Sequence, residues 1–322
     1  MNNFETPHVL IIGSGAYGKA LKACILSNPA RQVTLLSRED CVNFQGDISE
    51  FHFILFAVPC QSFRVAALWV REKLNDTQMI NKKIYLISTA KGIEQKTILL
   101  PHQILQEVFQ NQQNVSIGSL SGPSFAKEMM EGLPTCVVLA SKDPDLLQMA
   151  APILHSSYFR IYDSNDILGV EIGGALKNVI AMVAGAVDGL NLGNNARAAV
   201  MTRGLSEIAK IGAKLGANPI TFMGLSGLGD LILTCTGDLS RNRTFGYRLA
   251  KGEELNSALY SMGGVVEGMA TTQSAYELTQ KLKLKSSILN AAYEVLYNNL
   301  PISQALENLI NGQQSTEFHW IE

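Results

Sequence analysis

Charge is in short supply in this chain. Only 17% of its 322 residues are Asp, Glu, Lys or Arg, and they nearly cancel to a formal net charge of −2. Without a basic excess there is no electrostatic reason to hold nucleic acid or an acidic membrane, so any anion site must be local. The five cysteines (Cys24, Cys41, Cys60, Cys136 and Cys235) are scattered, odd in number and form no C-x-x-C. That excludes a disulfide frame and a structural zinc, and predicts the reduced thiols of a cytoplasmic protein. The five histidines (His8, His52, His102, His155 and His319) form no cluster and lack metal-ligand spacing, so neither a metal nor a histidine base is expected. No G-x-S-x-G, P-loop or H-E-x-x-H is present. No basic stretch leads into an apolar one near the start, which predicts no signal peptide. The longest apolar run, Val179 to Val187, is far short of a membrane span. Repeats and low-complexity tracts are absent too.

What is present is ample apolar material, 47% of the chain, and a length that suits two domains. Strand-like runs occupy Val9–Ile12, Val33–Leu36, Phe51–Val58, Ile84–Ser88, Val115–Ser119 and Thr135–Ala140, and Tyr158–Tyr162 closes this half. Helical patterns fall between most of them, over Ala16–Asn28, Gln61–Asn75, Thr97–Gln110, Ser124–Glu131 and Pro144–Leu154. Continuous apolar strands separated by helices predict a parallel sheet covered on both faces. From Ile167 onward no convincing strand remains. Helix-period segments run through Ile167–Leu190, Ala196–Leu215, Ser240–Lys251, Glu267–Lys281, Ser287–Tyr297 and Ile302–Ile310. The expectation is a Rossmann-type α/β domain over residues 1–166, with a mostly parallel sheet, followed by an all-α domain over residues 167–322.

Gly13-Ser-Gly15-Ala16-Tyr17-Gly18 fits G-x-G-x-x-G, directly after the first apolar run and opening a helical pattern. The glycines allow a tight turn and close backbone approach, and the helix N-terminus then receives a pyrophosphate. In another place the hexapeptide would be an ordinary glycine-rich turn; in this place it predicts a dinucleotide site. The choice of dinucleotide turns on the end of the second strand, where an NAD enzyme shows an acid for the ribose 2′-hydroxyl. Here the chain has Leu36-Ser37-Arg38-Glu39, which suits the 2′-phosphate of NADPH better, while Glu39 leaves NADH open. Only twelve residues separate Arg38 from Phe51, with no clear period, so a loop is expected where a crossover helix usually lies.

Two turns at adjacent strand ends carry cations and hydroxyls: Ser88-Thr-Ala-Lys91-Gly92 and Ser121-Gly122-Pro123-Ser124-Phe-Ala126-Lys127. Each alone is an ordinary solvated turn; together, at the carboxyl ends of strands, they point to an anion or polyol pocket. Lys177 is the sharper signal. Its neighbours Ile172, Gly173, Gly174, Ala175, Leu176, Val179 and Ile180 leave little polar face to hold an ammonium. A snorkelling lysine is the bland alternative. Asn178 beside it and Asp230 downstream favour general acid–base work, because desolvation and a nearby carboxylate tune a lysine in opposite directions. Asp230 and Thr234 stand four apart, on one face of a helical turn. Ser240-Arg241-Asn242 reads as a helix start, with Ser240 as N-cap and Arg241 as a bidentate fork, a combination that captures phosphate.

In this order the motifs resemble the bacterial NAD(P)-dependent glycerol-3-phosphate dehydrogenases. The matching stretches are Gly13–Gly18, Ala90-Lys91-Gly92, Ser121–Glu128, Gly132–Thr135, Gly173–Ile180, Asn195-Ala-Arg197, Gly227–Leu231, Thr234-Cys-Thr, Ser240–Arg243 and Val265–Gly268, nearly the whole chain. The chief departure is the short stretch after Arg38. The resemblance implies reversible hydride transfer between sn-glycerol 3-phosphate and dihydroxyacetone phosphate, feeding phospholipid synthesis. It implies Lys177 as proton donor and acceptor, and Lys91, Gly122, Ser124, Lys177, Asp230, Ser240, Arg241 and Asn242 as substrate contacts. Gly13, Gly15 and Gly18 belong to the dinucleotide turn, and the resemblance adds Ala16, Tyr17, Arg38, Lys91, Ala126, Arg241, Val265 and Glu267 as cofactor contacts. The partners expected are a small phosphorylated substrate and a second copy of the chain in a homodimer. Two rivals stand beside this reading. One is another two-domain reductase, such as a 3-hydroxyacid dehydrogenase or ketopantoate reductase, since carboxylates also bind arginine. The other is a non-catalytic NADPH sensor, against which Lys177 and Asp230 speak.

Overall fold

The computed structural model describes residues 7–75 and 82–311, so His319 lies outside the described residues. Seven strands form one sheet: β1 His8–Ile12, β2 Gln32–Leu36, β3 Phe53–Phe56, β4 Ile84–Ser88, β5 Val115–Ser121, β6 Thr135–Ser141 and β7 Phe159–Ser164, in the order β2-β1-β3-β4-β5-β6-β7. Successive strand residues enter two different cores. Val9, Ile11, Leu55 and Ile87 meet Leu21, Cys24 and Leu146 on one face, while Leu10, Ile12, Ile54 and Leu86 meet Phe63, Ala67 and Ile104 on the other. Burial on both faces is what makes these strands read as unbroken apolar runs.

The sheet departs from uniform parallel order at one place. Strands β1 to β5 pair in parallel, but β6 pairs with β5 antiparallel, and β7 runs parallel to β6. The β5–β6 connection contains only one helix, the five residues Ala126–Met130. Such a helix climbs about 7.5 Å, whereas a seven-residue strand spans about 23 Å. The helix does not carry the chain back along the sheet, and the chain re-enters from the end it left.

The helices of this half are α1 Ala16–Leu26, α2 Arg38–Asn43, α3 Cys60–Asn75, α4 Pro101–Val108, α5 Ala126–Met130 and α6 Pro144–Leu154. Helix α2 corrects the loop expected after Arg38. Its start is a capping box: the Asp40 amide donates to Ser37 Oγ at 3.1 Å, and the Ser37 amide donates to Asp40 Oδ2 at 2.8 Å. It buries no residue, which is why no apolar period marks it.

Among the described residues eight α-helices follow: α7 Ile167–Gly189, α8 Gly193–Leu215, α9 Asp230–Thr236, α10 Arg241–Ala250, α11 Leu255–Ser261, α12 Glu267–Leu282, α13 Ser287–Tyr297 and α14 Ile302–Ile310. Among the described residues no strand occurs after Ser164. Helix α7 as a whole is long and apolar enough to cross a membrane, a fact its interrupted runs hid, but 94% of its most apolar window is buried inside the protein. By their contacts the described residues form two compact units. One comprises residues up to Lys91 with Leu99–Val170, and the other comprises Gly92–Ile98 with the residues from Glu171 onward.

Candidate active site

In the sheet unit, β1 delivers the chain to Gly13, whose φ of 113° turns it sharply into α1. A Cβ on Gly13 would lie 2.3 Å from the Ala57 carbonyl oxygen, and one on Gly18 would lie 1.9 Å from that of Gly13, so folding itself demands these two glycines. Gly15 differs. It is extended, with φ −65° and ψ 178°, and a Cβ there would meet nothing within 4 Å. Glycine at this position leaves room beside the first turn of α1, where Ala16 and Tyr17 begin the helix and no acidic residue opposes an anion. The turn also lies where the sheet order reverses, since β1 has β2 on one side and β3 on the other. Ligands collect at such switch points. Arg38 opens α2, is exposed, and makes no hydrogen bond or ion pair among the described residues.

At the ends of β4 and β5 the expected polar groups meet. Lys91 Nζ donates to the Gly122 carbonyl at 2.9 Å, and Ser124 Oγ donates to the same oxygen at 2.9 Å. Tyr17 Oη lies 3.3 Å from Ser124 Oγ, tying the dinucleotide turn to this cluster. The φ of 140° at Gly122 directs that carbonyl, an arrangement a side chain would strain. Ala126 is the first residue of α5.

In the helical unit, Lys177 is buried in mid-α7. Its Nζ donates to Asp230 Oδ1 at 2.7 Å and to Thr234 Oγ1 at 2.7 Å, and the Lys177 and Asp230 side chains are 7% and 2% exposed. The local sequence builds this contact. Leu225–Gly229 forms a π-helical turn that ends at Asp230, the first residue of α9. Gly173, one turn before Lys177, lets that segment lie against α7, for a Cβ there would be 2.7 Å from the Ser226 carbonyl oxygen. The Thr234 hydroxyl in turn donates to the Asp230 carbonyl at 2.6 Å, fixing its own rotamer. Cys235 is buried beside this pair, and burial pushes its thiol up to about 12. It is an inert apolar neighbour, not a nucleophile.

Helix α10 begins as the sequence predicts: Ser240 is its N-cap, with Oγ accepting from the Arg243 amide at 3.2 Å. Asn242 Nδ2 donates to Asn178 Oδ1 at 3.0 Å, and Asn242 Oδ1 accepts from the Gly268 amide at 2.9 Å. Asn242, at the start of α10, thereby joins α7 to the start of α12. Arg241 is exposed, and its guanidinium covers Gly264, where a Cβ would lie 2.5 Å from Nη1. Val265 is half exposed, and Glu267 is the first residue of α12.

The structure therefore gathers Tyr17, Lys91, Gly122 and Ser124 in one unit, and Lys177, Asp230 and Asn242 in the other. Arg38 stands apart from the first group. Two hydrogen-bonding partners, Thr234 and Asn178, are not among the substrate or cofactor contacts expected from the sequence. Their signals were the i, i+4 spacing to Asp230 and the adjacency to Lys177. Arg243 and Arg197, both in matched motifs, instead clamp Asp188 at 2.9 Å each and hold the end of α7.

Residues 39–147 match the family profile of the NAD-dependent glycerol-3-phosphate dehydrogenase N-terminus, and residues 166–307 match that of its C-terminus. A glycerol-3-phosphate dehydrogenase (NAD(P)+) of Nitrosomonas eutropha is 38% identical, covering 96% of this chain and 99% of the relative. Its counterpart in Staphylococcus saprophyticus is 37% identical with the same coverage. Among solved structures, the glycerol-3-phosphate dehydrogenase of Coxiella burnetii superposes with a TM-score of 0.86 at 30% identity, covering 96% of this chain and all of that one.

Proposed function

The chain belongs to the NAD-dependent glycerol-3-phosphate dehydrogenase family, and from that premise we propose that it interconverts sn-glycerol 3-phosphate and dihydroxyacetone phosphate with an NAD(P) cofactor. The profile match over both halves removes the other two-domain reductases as rivals. The observation that carries the chemistry is the buried Lys177 ammonium held between Asp230 and Thr234.

Room at Gly15, the bare N-terminus of α1 and the exposed Arg38 fit a dinucleotide, with Arg38 suited to a 2′-phosphate. We assign Gly13, Gly15, Ala16, Tyr17, Gly18, Arg38, Ala126, Val265 and Glu267 to that ligand, and NADPH as the preferred form. A bound nicotinamide supplies or accepts the hydride. Lys177 supplies the proton: in reduction its ammonium protonates the oxygen of the ketone carbonyl as the carbon gains hydride, and in oxidation its amine takes the hydroxyl proton. Asp230 keeps the amine oriented and balances its charge, and Thr234 fixes the third corner. Arg241, with Lys91, Ser124, Ser240 and Asn242, holds the phosphate and hydroxyl groups, Arg241 through a planar fork. The five free cysteines agree with a reducing cytoplasm, where we place the enzyme as a supplier of glycerol 3-phosphate for glycerophospholipids. The homodimer is part of the same proposal, and sedimentation velocity reads it directly.

The deciding assay is dihydroxyacetone phosphate reduction with NADPH and NADH side by side. Turnover with a lower KM for NADPH is expected. Absence of turnover with either cofactor overturns the proposal, and a lower KM for NADH overturns the part given to Arg38.

A further inference from the structure

We propose, given Lys91 as a ligand contact, that Gln273 and Ser274 of α12 are positioning residues for Lys91, acting through the segment Gly92–Ile98. This segment continues directly from Lys91, yet by its contacts it groups with the helices. Ile93 is fully buried and Glu94 nearly so. Ser274 is buried, and its hydroxyl reaches the Ile93 carbonyl at 3.2 Å while sharing its proton with the Ala270 carbonyl at 3.3 Å. Gln95 Nε2 donates to Gln273 Oε1 at 2.8 Å. The Gln273 amide nitrogen is turned the other way, donating to Glu277 Oε1 at 3.1 Å, so Glu277 orients the oxygen that receives Gln95.

The backbone of the segment is strained. Lys96 has φ 69° and Ile98 has φ 61°, both left-handed, and for a β-branched residue that region is a genuine outlier. Such conformations persist only where the surroundings over-determine them. Internal bonds contribute: the Ile98 amide donates to the Glu94 carbonyl at 3.0 Å, and Thr97 Oγ1 donates to Glu94 Oε2 at 2.5 Å. The anchors on α12 supply the rest. A segment fixed in this way also fixes the backbone of the residue before it. Lys91 needs that, because its four-carbon stem has much rotamer freedom to lose. The Gly122 carbonyl steadies its ammonium at one end, and the segment steadies its Cα at the other. Loosening the segment makes every bound ligand order Lys91 afresh.

The test is a set of KM measurements for dihydroxyacetone phosphate with saturating NADPH. Gln273→Leu, Ser274→Ala and Gln95→Leu are each made in the natural chain and in Lys91→Ala. Gln273→Leu and Gln95→Leu should each raise KM about threefold to tenfold, the net worth of one hydrogen bond, with kcat changed less than about twofold. Ser274→Ala should act in the same direction. In Lys91→Ala these increments should vanish, because residues acting through one partner are non-additive. Gln95→Leu lies in the segment itself and leaves α12 intact, so it reads the proposal even if Gln273→Leu folds poorly. Increments that persist undiminished in Lys91→Ala, or the lack of any KM change in the singles, overturn the proposal. An unchanged KM in Lys91→Ala alone overturns the assignment of Lys91 as a ligand contact, and the positioning role with it.

Discussion

Replacing Lys177 with Met removes an acid and half of a buried ion pair, and the two losses can be separated. Nζ and Asp230 Oδ1 are 2.7 Å apart with both side chains almost wholly enclosed. A carboxylate abandoned in such a place costs about 3–5 kcal/mol of stability. Met fills nearly the volume of the lysine stem, so little of that loss is cavity. The lost proton transfer is worth about a hundredfold to ten-thousandfold in rate, or about 3–5 kcal/mol of barrier. Lys177→Met should therefore be both unstable and inactive, while its affinity for NADPH, followed by fluorescence, stays near the natural value. The double variant Lys177→Met/Asp230→Leu deletes both charges and returns the site to an apolar packing problem. It should recover stability to within about 2 kcal/mol of the natural protein, since apolar replacement of a buried pair is often neutral, and remain as inactive as the single variant. Urea midpoints read the first quantity and NADPH oxidation reads the second. A Lys177→Met enzyme with kcat within tenfold of the natural one refutes the proton role. A double variant no more stable than the single refutes the energetics assigned to the pair.

Arg241→Ala should raise the KM for dihydroxyacetone phosphate by at least about tenfold, the worth of a charge-assisted hydrogen bond; a KM at the natural value means the phosphate lies elsewhere. Arg38→Asp should turn the cofactor preference from NADPH towards NADH by about tenfold or more, read as the ratio of kcat/KM values, because an acid repels the 2′-phosphate and grips a 2′-hydroxyl; an unchanged ratio places the adenosine away from α2. Glu207 gives a pH signature. Burial pushes its carboxyl above the ordinary 4.5, against hydrogen bonds from Ser286 and the first amides of α13. An acid raised in the native state binds its proton more readily folded than unfolded, so it favours folding at low pH. That contribution is lost as pH climbs from 4.5 through the native value. The stability of the natural protein relative to Glu207→Gln should accordingly fall as pH rises from about 4.5 to neutrality, and a constant difference in urea midpoints over that range sinks the assignment.

How much of this was legible in the sequence depends on whether the determinant is local. Strands buried on both faces advertise themselves, and so does the turn Gly13–Gly18, where Gly18 answers a clash with the Gly13 carbonyl five residues earlier. Ser240 as N-cap is equally local, a side chain bonding an amide three residues on. The reversal of β6 and β7 has no such mark, because the composition of a strand is the same in either direction. Helix α2 was readable only from Ser37 and Asp40, and the lack of an apolar period outweighed that pair. Segment Gly92–Ile98 is the hardest case. Its allegiance to the helices depends on Gln273 and Ser274, about 180 residues away along the chain.

Helix α7 shows why the lysine could be found when so much non-local structure could not. By propensity it is a poor helix: glycine in a helix interior costs about 1 kcal/mol relative to alanine, and Gly173, Gly174 and Gly185 all lie inside it. By composition it is a poor place for an ammonium. Both violations have the same cause. The glycine at 173 admits the Ser226 carbonyl, the π-helical turn behind it then carries Asp230 up to the helix, and only with that carboxylate in place can Lys177 remain charged without water. Places where local rules fail together tend to be places that function has shaped. A buried charge alone would signal a strained core, and glycines alone would signal close packing. Their coincidence within one turn, opposite an acid that arrives on its own irregular turn, is what the proton role proposed for Lys177 rests on.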